Sequence, residues 1–184
     1  MKNALPLLLI LLFTTMACKS PEARRPINQK SASYIDNSIE RNKKLIAQEE
    51  EAIQKIIAAD TSSTYLASKN GFWYTYEVQD TLAIQTPMVG DLVSFNYDLK
   101  TLAGTPILTE DRLGNQTYQI DQSNQDLISG LREGLKLMKE GEVITLLLPS
   151  HKAYGYYGLD NEIGSNVALR TTIRLHKIQT KTED

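Results

Sequence analysis

Among 184 residues there is one cysteine, so no disulfide can close within a monomer and a folded domain has to be held by its core. The two histidines, His151 and His176, stand alone, without a second cysteine or an acidic cluster at ligand spacing; the sequence gives no reason to expect a metal, another cofactor or a nucleophilic triad. Neither sign of charge dominates, with 20 Lys and Arg against 22 Asp and Glu for a formal −2, which argues against nucleic acid as a partner. The one conspicuous apolar run, Ala4 to Phe13, is too short to cross a bilayer. What remains is 41% apolar and 23% charged, the composition of an ordinary globular chain, with room for a leader, a tether and one domain of about 100 to 150 residues.

Lys2 ahead of that apolar run has the layout of a signal peptide, and Thr15-Met16-Ala17-Cys18 follows it. These four residues resemble the lipobox at which bacterial lipoproteins are cleaved and acylated, with Thr15 standing where that family usually has Leu. The resemblance implies a leader over residues 1–17 and lipidation of Cys18. It further implies residence in the cell envelope, anchored to a membrane outside the cytoplasm, either at its periplasmic face or at the outer membrane. Acyl chains contribute about 0.8 kcal/mol per buried methylene, so two or more anchor stably. Residues 18–33, with Pro21, Pro26 and the pair Arg24-Arg25, read as a flexible tether. Over 34–61 the apolar residues Ile35, Ile39, Leu45, Ile46, Ile53, Ile56 and Ile57 recur at three- and four-residue spacing, which predicts an amphipathic helix. Its stripe could cover its own domain, pair with a second copy as a homodimer, or lie on lipid. The run Glu49-Glu50-Glu51 reads as a solvated face.

Past Ser63 the period changes to that of strands. Phe72 to Val78, Leu92 to Leu99, Ile107-Leu108, Thr117 to Ile120, Val143 to Leu148 and Val167 to Ile178 are expected to pair, with turns at Lys69-Asn70-Gly71, Met88 to Asp91 and Ala103 to Pro106. Leu127, Ile128, Leu131, Leu135 and Met138 predict one short helix closed by Gly141. A loop from Ser150 to Asn166 carries Gly155, Gly158 and Gly164. The expected fold class is α+β: an antiparallel, twisted sheet wrapped around one short helix over 62–184, preceded by the amphipathic helix.

Ile128-Ser129-Gly130-Leu131-Arg132-Glu133-Gly134, continuing through Met138 and Gly141, and then Pro149 to Ala153-Tyr154-Gly155, resemble the FKBP-type peptidyl-prolyl isomerases over roughly 71–178. Among these, the lipoproteins associated with gliding motility look most similar, sharing the acylated leader and helical preamble. The resemblance implies an isomerase acting on proline-containing polypeptide clients. It places Tyr97 and Tyr118 as pocket aromatics, Ile128 as the residue whose amide meets a substrate carbonyl, Leu131 as the pocket floor and Tyr154 as a hydroxyl donor. Ile107, Leu127, Ile163 and Thr171 complete the implied substrate pocket. Two positions depart from the family pattern: Leu108 replaces an acidic residue and Thr171 an aromatic. A binding module with little turnover therefore stays open, as does core packing for Tyr97 and Tyr118, and so does a protein-binding patch made of Tyr154, Tyr156 and Tyr157.

Overall fold

The computed structural model describes residues 29–122 and 127–180, with side chains from residue 34 onward. The leader, Cys18 and most of the expected tether lie outside the described residues. By internal contacts the described chain divides into two units after Ile39. Helix α1 runs over Gln29–Ala59, so it starts ahead of Tyr34, and the end of the expected tether is helical. In the first unit, Tyr34, Ile35 and Ile39 are exposed. In the second, Ile53 is fully buried and Leu45, Ile46, Ile56 and Ile57 are half-buried, so this part of the stripe is covered by its own domain.

The second unit holds strands β1 (Leu66–Ala67), β2 (Trp73–Val78), β3 (Leu92–Tyr97), β4 (Leu99–Thr101), β5 (Pro106–Leu108), β6 (Gln116–Gln119), β7 (Val143–Leu148) and β8 (Leu169–Gln179). They form one antiparallel sheet in the order β1-β2-β7-β8-β3-β6, with β4 pairing to both β8 and β5. The expected α+β class and its antiparallel sheet are what the chain adopts. β7, between β2 and β8, is buried at every residue, which explains why it is apolar except at Thr145, whose hydroxyl bonds to Glu77 of β2 and Thr172 of β8. β3 and β8 instead alternate: Val93, Phe95 and Tyr97, and Leu169, Thr171, Ile173 and Leu175, turn inward, as a half-buried strand requires.

A short helix, α2 (Glu110–Leu113), occupies what reads in sequence as a polar link. Thr109 caps it by accepting the Arg112 amide. Helix α3 (Ser129–Leu135) packs on β7 and β8. Two glycines let it come close: a Cβ at Gly130 would lie 2.6 Å from a methyl of Leu148, and one at Gly134 would lie 2.7 Å from a methyl of Leu146. Gly141 does not cap this helix, which ends at Leu135 with Lys136 as its cap; Gly141 lies in the turn entering β7, at φ +80°, and donates to the carbonyl of Leu175.

Candidate functional site

Sheet and helix bring most of the expected pocket residues to one apolar cluster. Tyr97, at the end of β3 opposite Ile173, is 8% exposed, and its ring centre lies 5.9 Å from that of Phe95. Tyr118, on β6 opposite Val93, is 9% exposed. Leu131 on α3 is fully buried and Ile163 nearly so. Against these pack Ile107, Leu127, Ile128 and Tyr154, each only partly buried. Leu113, Leu159 and Val167 join the same cluster, although nothing in their sequence context marks them for it.

Ile128 is the last extended residue before α3, at φ −57° and ψ 147°. Its carbonyl accepts the Arg132 amide at 3.2 Å, while its own N–H, standing at a helix start, has no intrahelical acceptor. Tyr154 follows the 3₁₀ turn Ser150–Lys152, and both of its neighbours are held by one atom: the Ser150 carbonyl accepts from Ala153 at 3.0 Å and from Gly155 at 2.9 Å. The loop is tied at its far end by Asn166 donating to the Gly155 carbonyl at 2.7 Å, and by paired bonds between Leu159 and Ile163. Gly158 sits at φ +67°, where a Cβ would fall 2.3 Å from the Ile163 carbonyl oxygen, so no other residue closes this turn without moving it.

Electrostatically the site is quiet. Burial, with the neighbouring Tyr97 hydroxyl, pushes the Tyr154 phenol up to about 12, and burial raises Tyr97 as well. Both hydroxyls, protonated at neutral pH as an ordinary phenol already is, can donate. The Tyr118 hydroxyl is buried with no hydrogen-bond partner among the described residues, an expensive state for a polar group in an apolar setting.

The two departures from the family pattern have structural explanations. Leu108 is 6% exposed in the core, paired with Leu99 of β4, a place that holds a carboxylate only at high cost. Thr171 is fully buried, but its hydroxyl donates to the Asp98 carbonyl at 2.5 Å, which commits it to joining β8 to the β3–β4 corner. The three tyrosines of the loop do not act as one patch: Tyr154 is half-buried, whereas Tyr156 and Tyr157 are exposed and meet edge to face with ring centres 5.7 Å apart. Glu49 corrects the expectation of a solvated acidic run. It is 8% exposed, and its Oε2 accepts the Ser150 amide at 2.9 Å. Its signal was spacing, since Leu45, Glu49 and Ile53 fall on one stripe.

The family model described as FKBP-type peptidyl-prolyl cis-trans isomerase matches residues 84–176. The chain is 33% identical over 86 residues to human peptidyl-prolyl cis-trans isomerase FKBP9, covering 47% of this chain and 15% of that protein. To the probable FKBP-type isomerase FkpA of Neisseria meningitidis it is 32% identical over 93 residues, 50% of this chain and 33% of the other. To the Mip isomerase of Coxiella burnetii it is 29% identical over 107 residues, 58% and 45%. The chain thus spans less than half the length of each of these relatives. The crystal structure of FkpA from Escherichia coli is similar in fold, with a TM-score of 0.58 at 21% identity over 95% of this chain and 81% of that one.

Proposed function

Because the chain belongs to the FKBP-type peptidyl-prolyl cis-trans isomerase family, we propose that it speeds rotation about the peptide bond preceding proline in polypeptide clients, at the cluster around Tyr97, Tyr118, Ile128, Leu131 and Tyr154. The barrier is the loss of amide resonance, about 20 kcal/mol, and the uncatalysed reaction takes tens of seconds. No covalent bond forms or breaks. The twisted imide is less polar than the planar one, so water-poor, apolar walls favour it, and a donor on the neighbouring carbonyl fixes its orientation. In this reading the nearly buried Tyr97, Tyr118 and Leu131 form the floor. The half-buried Ile107, Leu127, Ile128 and Tyr154 form the rim that the proline ring meets, and Ile163 and Thr171 back the pocket.

The observation that carries the reading is geometric: the buried Tyr97, Tyr118, Leu131 and Ile163 and the partly exposed Ile107, Leu127, Ile128 and Tyr154 belong to one apolar cluster. The test is a protease-coupled assay on short X-Pro peptides. Acceleration by micromolar protein, reduced about tenfold by Tyr154→Phe for the loss of one hydrogen bond, supports it. Absence of acceleration refutes it.

A second reading has its own support. With Leu108 and Thr171 in place of an acid and an aromatic, the pocket offers fewer contacts to a proline ring, which suits a module that binds proline-containing segments with little turnover. Tyr154→Phe would then leave partner affinity within about twofold while no isomerisation is seen.

The N-terminus extends the proposal to place. A lipid on Cys18 would hold the domain in the cell envelope outside the cytoplasm, where its clients would be exported proteins, including those of a motility or secretion apparatus. Pairing of a second copy through α1 belongs to the same proposal. Cys18→Ala should move the protein from the membrane to the soluble fraction, and unchanged membrane association would rule out the anchor.

A further inference from the structure

Glu49 stands on the covered stripe of α1, between Leu45 and Ile53, where an aliphatic side chain would pack without the cost of burying a charge. Helix packing does not explain a carboxylate there. Its hydrogen bond does: Oε2 accepts the Ser150 amide at 2.9 Å across 101 residues of sequence, while Oε1 is buried without a partner among the described residues. Ser150 opens the 3₁₀ turn behind Pro149, which offers no side-chain cap, so Glu49 supplies from another element the cap that the turn lacks. Ser150 is also the residue whose carbonyl takes the amides on both sides of Tyr154. A bond to Ser150 therefore fixes the base from which the tyrosine hydroxyl is aimed.

We propose that Glu49 is a positioning residue for the isomerase site: through Ser150 it holds the Tyr154 loop in register, which makes the Glu49 turn of α1 a working part of the catalytic domain. This rests on the isomerase reading above. It differs from a purely structural role in one respect, namely that loss of the carboxylate should reach the rate through Tyr154.

The experiment is a double-mutant cycle on the full chain, with kcat/KM measured on a short Leu-Pro peptide and stability measured alongside by urea. Glu49→Ala is expected to lose at least about threefold in kcat/KM, Glu49→Gln, which keeps an acceptor oxygen, to stay within about twofold of native, and Glu49→Ala in a Tyr154→Phe background to cost less than about twofold more. A smaller loss for Glu49→Ala, failure of Gln to restore the rate, or an equal loss in both backgrounds overturns the proposal. If Glu49→Ala does not fold, Glu49→Asp, one methylene too short to reach Ser150, replaces it. A native protein with no isomerase activity refutes the proposed function instead. Hydrogen exchange then decides the strut alone: faster exchange at Ser150, Ala153 and Gly155 in the variant, with β7 unchanged, supports it, and equal rates overturn it.

Discussion

The seat of α3 on the sheet leaves no room for a single added methyl group at Gly130. At Gly130 a Cβ would stand 2.6 and 2.7 Å from the two methyls of Leu148 and 3.0 Å from the Lys152 carbonyl oxygen. Carbon atoms rest at about 3.5 to 4.0 Å, so something must move by about 1 Å. Leu148 is fully buried and the third neighbour is backbone, so the helix itself has to lift. Overpacking of this kind costs about 1 to 3 kcal/mol, against a helix-propensity gain of at most about 1 kcal/mol for alanine over glycine. Gly130→Ala should therefore destabilise by about 1 to 2 kcal/mol in urea unfolding. At Gly134 the close neighbours are only side-chain tips, Leu146 at 2.7 Å and Ile173 at 3.3 Å, so the same change there should cost less. Because α3 carries Leu131 and begins just after Ile128, lifting it displaces the pocket floor, and isomerase activity should fall in Gly130→Ala beyond what the unfolded fraction explains. A Gly130→Ala protein as stable as the native one, or less perturbed than Gly134→Ala, would refute this account of the helix seat.

Glu142→Ala should be among the most damaging single changes, costing about 2 to 4 kcal/mol in urea unfolding, because its buried carboxylate accepts the Lys139 amide at 2.8 Å and the Asp80 amide at 3.0 Å and both would lose their acceptor. Tyr118→Phe should stabilise by up to about 1 kcal/mol, since it deletes a buried hydroxyl with no partner among the described residues; an equal loss of stability would show that the hydroxyl is satisfied after all. The Tyr154 phenol is raised from 10.0 to about 12 in the folded protein, so the stability tied to its protonated form is fully present below pH 10 and lost as pH rises through about 12. Activity should accordingly be flat from about pH 7 to 9, and a fall within that window would place a titrating group in the site that the structure does not show.

How far the sequence discloses all this depends on the element. β7 is readable because a strand covered on both faces is mostly apolar, and Val143 to Leu148, polar only at Thr145, is such a run bounded by Gly141 and Pro149. The short α2 helix is harder to see because none of its residues is buried; its only mark is Thr109 ahead of Glu110 and Asp111, a cap followed by acidic residues. The break between β3 and β4 at Asp98 is invisible in a pattern that runs on smoothly from Leu92 to Leu99. In the site, the motif around Gly130 and Tyr154 led to residues that share one cluster. The sequence could not show that Thr171 is bound to the Asp98 carbonyl, nor that Glu49, although it falls on the apolar stripe of α1, meets the Ser150 amide, since both depend on elements far apart in the chain.

The most direct test of the proposed chemistry is exchange NMR on the native protein with a short Leu-Pro peptide. Catalytic amounts of protein should produce cis–trans exchange peaks in the peptide, and peptide binding should shift the amides of Ile128, Leu131 and Tyr154 while those of β1 stay fixed. Exchange no faster than in the peptide alone, or shifts confined to residues outside that cluster, would contradict it.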